Sequence, residues 1–264
     1  MNLVVERVSK SFGGIRAVSD VSFTVPARSI FGLIGPNGAG KTTVFNLVTG
    51  VYAPDAGSLR FGDRDLARLS PSRIAAAGIA LTFQNVRLFA QLTVVENLLV
   101  ACEAHEGAGL FAALVRSRTQ LAAEGTMRAR AVELLRVFGM DAAAEAPATS
   151  LSYGDQRRLE IARAMMTAPK VLLLDEPAAG MNSGEADGLR TQIRWVRDTF
   201  NVAVVLVEHN MSVVMGVCEE VHVLDHGESI AQGTPAEIKA SPKVIAAYLG
   251  EDEDDAREAP EARA

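Results

Sequence analysis

Gly35-Pro36-Asn37-Gly38-Ala39-Gly40-Lys41-Thr42, followed by Thr43, decides the fold. The stretch has the spacing G-x-x-x-x-G-K-[ST]. Glycines so placed let backbone N–H groups turn inward around phosphate oxygens, and a following helix adds the positive end of its dipole. Lys41 is then placed to reach the β- and γ-phosphates, and the Thr42 hydroxyl to ligate Mg²⁺. In a chain of this composition the pattern arises by chance roughly once in several hundred sequences. Its flanks strengthen it. Ile30, Phe31, Leu33 and Ile34 form an apolar run before the loop, and residues 41–49 read as a helix stopped by Gly50.

Three more short apolar runs end on polar residues. Residues 79–83 lead into Gln84, 171–174 into Asp175-Glu176, and 202–207 into Glu208-His209. Unbroken apolar strands suit a parallel sheet covered on both faces. In such sheets ligands bind beyond the carboxyl ends of the strands, so these four ends point at one edge.

Outside that core, the first 30 residues and 57–66 alternate apolar and polar positions with turn glycines, and predict antiparallel strands at the sheet's edge. Residues 221–224 and 229–232 flank Asp225-His226-Gly227 and predict a hairpin. Thr93-Val94-Val95-Glu96 is a capping box. From about 110 to 139 the chain is rich in Ala, Leu, Arg and Glu, with Val132, Leu135 and Phe138 at helical spacing. Another helix starts near Ser152. The expected division is an α/β core with an antiparallel β edge subdomain at 1–92 and 169–250, an inserted helical lobe at 93–168, and a tail at 251–264. Thr234-Pro235 and Ser241-Pro242 start the last two helices.

The chain has 264 residues, 48% hydrophobic and 22% charged, which excludes a mostly disordered protein. No apolar run approaches the ~20 residues of a membrane span. The first residues lack a basic-then-apolar leader, which predicts a cytosolic location. Net charge is −6, and residues 251–264 carry seven acids and two arginines, or −5, leaving the body near −1. That balance argues against a nucleic-acid partner and predicts a solvated, disordered acidic tail. Cys102 and Cys218 match no metal spacing and are expected to be buried free thiols.

An aspartate at a strand end, here Asp175, suits Mg²⁺ ligation, and the adjacent Glu176 suits a general base for an attacking water. Gln84 is a candidate sensor of Mg²⁺ or water, and His209 a candidate hydrogen-bond partner of the γ-phosphate. His105, His222 and His226 are read as structural. Leu151-Ser152-Tyr153-Gly154-Asp155-Gln156 starts a helix capped by Ser152 and also forms a second anion site.

Taken together and in this order, the motifs at 35–42, Gln84, 151–156, 171–176 and His209 resemble the ATPase subunit of an ABC transporter, over residues 1 to about 250. The resemblance implies a P-loop NTPase (RecA-like) core. ATP would lie on Asn37, Gly38, Gly40, Lys41, Thr42 and Thr43 with Phe12 stacked on adenine. Mg²⁺ would be held by Thr42, Gln84 and Asp175, and catalysis would involve Glu176, His209 and Gln84. Ser152 and Gly154 would face the nucleotide of a second copy in a sandwich dimer. The wider family usually ends the loop after Glu176 in aspartate, where this chain has Asn182.

The stretches Phe83-Gln84-Asn85-Val86-Arg87-Leu88-Phe89, Leu92-Thr93-Val94-Val95-Glu96-Asn97-Leu98-Leu99, Glu176-Pro177-Ala178-Ala179-Gly180-Met181-Asn182 and Ala247-Tyr248-Leu249-Gly250 are similar to one of the two ATPases of branched-chain amino-acid importers. In that subgroup Asn182 is usual. The subgroup implies separate membrane permeases, a second ATPase subunit, a periplasmic solute-binding protein and a place on the cytoplasmic face of the membrane. It also implies a permease coupling helix beside Gln84, over Val86, Leu88, Phe89 and Leu92. Relatives that import urea or short amides stay open as an alternative. A soluble ABC ATPase usually carries two ATPase units or a long coiled coil, and this chain has neither. A small GTPase lacks its D-x-x-G and N-K-x-D here.

Overall fold

The computed structural model describes residues 1–82, 87–106 and 118–248, with the backbone alone for 102–106 and 118–124. Gln84, Val86, Gly250 and the acidic tail therefore lie outside the described residues. In chain order the elements begin β1 (Leu3–Phe12), β2 (Ile15–Val25), β3 (Ile30–Ile34), α1 (Lys41–Val48), β4 (Ala56–Phe61), β5 (Arg64–Asp65), α2 (Pro71–Ala76) and β6 (Ile79–Leu81). The helices α3 (Val94–Glu106), α4 (Arg118–Val137) and α5 (Tyr153–Met165) follow. Then come β7 (Val171–Asp175), α6 (Ser183–Phe200), β8 (Ala203–Val207) and α7 (Met211–Val217). The hairpin β9 (Glu220–Asp225) and β10 (Glu228–Gly233), α8 (Pro235–Ala240) and a helix α9 at 242–248 complete it.

The apolar runs become a sheet of order β10-β9-β3-β8-β7-β6. Its core pairs, β3 with β8 and β9 and β7 with β6 and β8, are parallel, while β9 and β10 are antiparallel. Alternate side chains leave opposite faces. Leu172, Leu174, Val204 and Leu206 enter a core with the helices, whereas Val171, Leu173, Val205 and Val207 enter a second core. Continuous apolar strands are thus accounted for, since neither face meets water.

The second core corrects one expectation. The N-terminal strands do not extend the edge of the parallel sheet; they form their own antiparallel sheet, β2-β1-β4-β5. Leu3, Val5, Val21, Phe23 and Leu59 from it pack with α1 and the far face of the parallel sheet. Alternating strands have one face to bury, and stacking it on a second sheet buries it.

The helical lobe stands at the other face. Thr93 and Glu96 make the expected capping box, with Thr93 N–H donating to Glu96 Oε2 at 2.8 Å and Glu96 N–H to Thr93 Oγ1 at 3.3 Å. Helix α4 covers Arg118–Val137 of the expected 110–139, residues 107–117 being outside the described set. Helix α6 was not anticipated from local pattern. It opens on a capping box of Asn182 and Glu185 and buries Ala186, Leu189, Ile193 and Val196 at helical spacing. Phe138 and Phe200 close on Trp195 with ring centroids 5.0 and 5.8 Å away, fixing the end of α4 against α6. Cys218 is buried and unpaired, its thiol pushed up to about 12 chiefly by burial.

Candidate nucleotide site

The loop 35–43 leaves the centre of the sheet, at the end of β3, and turns into α1. Two of its glycines are obligatory. At Gly35 (φ +152°) a Cβ would lie 2.1 Å from Leu224 O, and at Gly40 (φ +97°) it would lie 2.5 Å from Ala17 O. The loop's outer rim is fastened from another quarter. Gly227, in the β9–β10 turn, donates N–H to Ala39 O at 3.0 Å, and its own carbonyl accepts from Ser19 N–H at 2.8 Å. Lys41 is buried, and its Nζ donates to Gly35 O and Pro36 O at 2.7 Å each, so the ammonium already sits inside the curve of the loop. Asn37, Gly38 and Thr42 are exposed on the open side, with Thr43 half-buried.

Two strands away in register, Asp175 ends β7 opposite Val207 of β8. Burial, then the carboxylates of Glu176 and Glu208, push Asp175 up to about 6, against the pull of the Lys41 ammonium. Glu176 follows with φ +44°, a strained conformation for a non-glycine residue, held by its N–H donating to Val207 O at 2.8 Å. His209, after β8, brings Nδ1 to 3.6 Å from Glu176 Oε2. The structure therefore unites Lys41, Asp175, Glu176 and His209 at one sheet edge, as the strand-end argument expects.

Phe12 ends β1 and is 39% exposed. Tyr52, which sequence reasoning passed over, meets it edge-on at 4.9 Å, and Lys10 Nζ lies 5.5 Å from its centroid. Only the structure joins Tyr52 to the site, because the contact spans 40 residues of chain.

Ser152 is the N-cap of α5. Its Oγ accepts from Asp155 N–H at 3.2 Å and donates to Asp155 Oδ2 at 2.8 Å. The capping role is thus met, and among the described residues no hydrogen bond joins Ser152 or Gly154 to the loop 35–43. Both face a cleft of about 250 Å³ shared with Met181 and Glu185. Tyr153 OH donates to Ala179 O at 3.4 Å, tying this helix start to the turn after Glu176. Asn182, where a charge was missing, spends its side chain on capping α6.

Helix α5 also reaches the segment after Gln84. Glu160 is 1% exposed, ion-paired to Arg157, and its Oε1 accepts from Arg87 N–H at 3.4 Å. Arg163 donates to Arg87 O at 2.5 Å and lies 5.8 Å from the Phe89 centroid. Burial pulls the Arg163 guanidinium below its usual range. Phe89 is 48% exposed, while its backbone is pinned at both ends by buried Asn97.

A further residue escaped sequence reasoning. Glu208, read only as the polar end of a strand, is fully buried and accepts from the N–H groups of Ala178, His209 and Asn210.

A family model described as ABC transporter matches residues 18–179, and one described as branched-chain amino acid ATP-binding cassette transporter matches 228–254. The chain is 46% identical over 249 residues to the high-affinity branched-chain amino acid transport ATP-binding protein LivG of Salmonella typhimurium, covering 94% of this chain and 98% of that protein. It is 44% identical over the same length to BraF of Pseudomonas aeruginosa, of the same description. It is also 37% identical over 250 residues to the lipopolysaccharide export system ATP-binding protein LptB of Escherichia coli. Among solved structures, the ADP conformation of MJ1267, an ATP-binding cassette of an ABC transporter, superposes with a TM-score of 0.83 at 28% identity, covering 95% of this chain and 99% of that one. With its phosphate loop and strand-end carboxylates in place, the chain belongs to the ABC transporter family as an ATP-binding, ATP-hydrolysing subunit.

Proposed function

We propose that the chain powers uptake of branched-chain amino acids. It would work at the cytoplasmic face of the membrane through separate permease subunits, paired with a second ATPase subunit and served by a periplasmic solute-binding protein. The observation that carries the hydrolytic part is the cluster at one sheet edge, with Lys41 inside the loop and Glu176 and His209 3.6 Å apart beside Asp175. Sequence identity to LivG and BraF supports the solute class. No described helix is long and apolar enough to cross a membrane.

Mg²⁺ fits the donors present. Burial, and then two neighbouring carboxylates, raise the proton affinity of Asp175; the crowded negative charge favours a cation there, and Thr42 offers an exposed hydroxyl. Among the described residues no three His, Cys, Asp or Glu side chains converge on a metal position. The ion would therefore complete its shell with phosphate oxygens and water. When bound, it neutralises charge developing on the transferred phosphoryl group.

The chain's own residues do the rest. Lys41 exchanges its two carbonyl partners for phosphate oxygens. Glu176 accepts the proton of the attacking water, and His209 donates to the γ-phosphate while orienting Glu176. Asn37, Gly38, Gly40, Thr42 and Thr43 line the phosphates and Phe12 stacks on the base. Gln84 would join Thr42 and Asp175 in holding Mg²⁺, and Ser152 and Gly154 would face the nucleotide of a second copy.

The test is Glu176→Gln. It should keep ATP binding, trap an ATP-bound dimer and lower turnover about 10²–10⁴-fold. Near-normal turnover removes Glu176 from the mechanism. Uptake of labelled leucine against labelled urea by the reconstituted importer settles the solute.

A further inference from the structure

Glu208 is a carboxylate shut off from solvent, directly after the apolar strand β8. Its oxygens are filled by backbone alone. Oε1 accepts from Ala178 N–H at 2.6 Å, and Oε2 accepts from His209 and Asn210 N–H at 3.1 Å each. A carboxylate is the side chain that can do this, because it is acceptor-only on both oxygens. Glutamine would fill the same volume, yet it turns an amide donor against one set of N–H groups.

The donors belong to two different turns. Ala178 lies two residues after Glu176, in a turn closed by Ala179 N–H to Glu176 O at 3.1 Å and Met181 N–H to Ala178 O at 3.1 Å. His209 and Asn210 form the turn that starts α7, where Asn210 caps the helix. These turns bring Glu176 Oε2 within 3.6 Å of His209 Nδ1 while Glu176 holds a positive φ of +44°. Strained backbone of that kind persists only where its surroundings over-determine it. A buried carboxyl without partners opposes folding, and the three N–H groups aimed at Glu208 offset that cost.

We infer that Glu208 is a positioning residue for ATP hydrolysis: its carboxylate staples the turn bearing Glu176 to the turn bearing His209 and sets their separation. It acts through those two residues and touches no substrate. The inference rests on the catalytic reading of Glu176 and His209 given above.

The experiment compares the full-length wild type with Glu208→Gln and Glu208→Asp. It measures kcat, subunit affinity for ATP by calorimetry, thermal melting, and amide exchange at Ala178, His209 and Asn210. Glu208→Gln should lower kcat about 10- to 100-fold while ATP affinity stays within about twofold and melting stays above the assay temperature. Glu208→Asp, which keeps the charge, should recover part of kcat. In the wild type the three amides should exchange slowly and together. A wild-type kcat in Glu208→Gln, or loss of kcat and ATP affinity in equal measure, overturns the inference. If Glu208→Gln fails to fold, Glu208→Asp and the wild-type exchange decide, and fast or unrelated exchange of the three amides overturns it. Glu176→Gln and His209→Ala run in parallel. If both turn over normally, the catalytic reading falls and takes the staple with it; if both are impaired and Glu208→Gln is normal, only the staple falls.

Discussion

Replacing Phe89 by aspartate should separate hydrolysis from coupling. The ring is 48% exposed, so folding buries about half of it. Full burial of a phenylalanine contributes about 1.5–3 kcal/mol, which puts the loss near 1 kcal/mol. The Arg163 guanidinium 5.8 Å from the ring contributes about 0.5–1 kcal/mol more, and a carboxylate at position 89 regains part of it. The backbone does not depend on the ring. Phe89 N–H donates to Asn97 Oδ1 at 2.8 Å, and Asn97 Nδ2 donates to Phe89 O at 3.2 Å, whatever side chain stands there. A total near 1–2 kcal/mol leaves a domain of ordinary stability folded. Docking is another matter. Truncating a central aromatic anchor costs about 2 kcal/mol or more, roughly 30-fold in affinity, before any penalty for burying the new charge. Basal ATPase of the isolated subunit should therefore stay near wild type, and stimulation by the permeases in vesicles should vanish. Retained stimulation refutes the docking argument. Loss of basal turnover together with a collapsed melting temperature shows instead that the ring is part of the packing. Asn97→Ala is the contrast: it removes the pins and should lower stability and coupling together.

Lys41→Ala should weaken ATP binding itself, since a charge-assisted hydrogen bond contributes about 1.5–3 kcal/mol; unchanged affinity by calorimetry contradicts this. Ser152→Ala should cost about 1 kcal/mol of α5 stability through the lost cap, keep subunit ATP affinity, and lower dimerisation and turnover in sedimentation and ATPase assays. Reduced affinity of the lone subunit would place Ser152 on its own nucleotide. His222 is buried between Gln232 and Ser229, and burial lowers its affinity for protons. Its folded pKa lies below the unfolded value of about 6.5, so the unfolded chain binds more protons below that pH. Its contribution is whole above the unfolded value and is lost as pH falls through and below it. The urea midpoint should drop between pH 7.5 and 5.5 by less in His222→Gln than in wild type, and equal drops would dismiss the histidine.

The legible part of the site was what local sequence dictates. A glycine-rich loop between an apolar strand and a helix, a carboxylate pair at a strand end and a capping box at Thr93 are each written within ten residues, and each was found where expected. What stayed hidden depends on partners far along the chain. Glu208 looks like a solvated strand end until Ala178, 30 residues earlier, is folded against it. The N-terminal strands alternate correctly, but alternation does not say whether they extend one sheet or stack on another. Gln84 and the tail lie outside the described residues, and their expected roles rest on sequence.

The placement of β3 has a consequence for synthesis. It is the first strand of the parallel sheet to leave the ribosome, yet its neighbours are β8 and β9, which begin at Ala203 and Glu220 against Ile30 for β3. Gly227, later still, braces the rim of the loop through Ala39. Until that hairpin is made, the phosphate loop has neither flanking strands nor an outer wall. A nascent chain released before position 203 therefore holds the complete loop sequence and no nucleotide site. ATP can select only chains made through that hairpin, and the early apolar strand must be shielded from other partners while it waits.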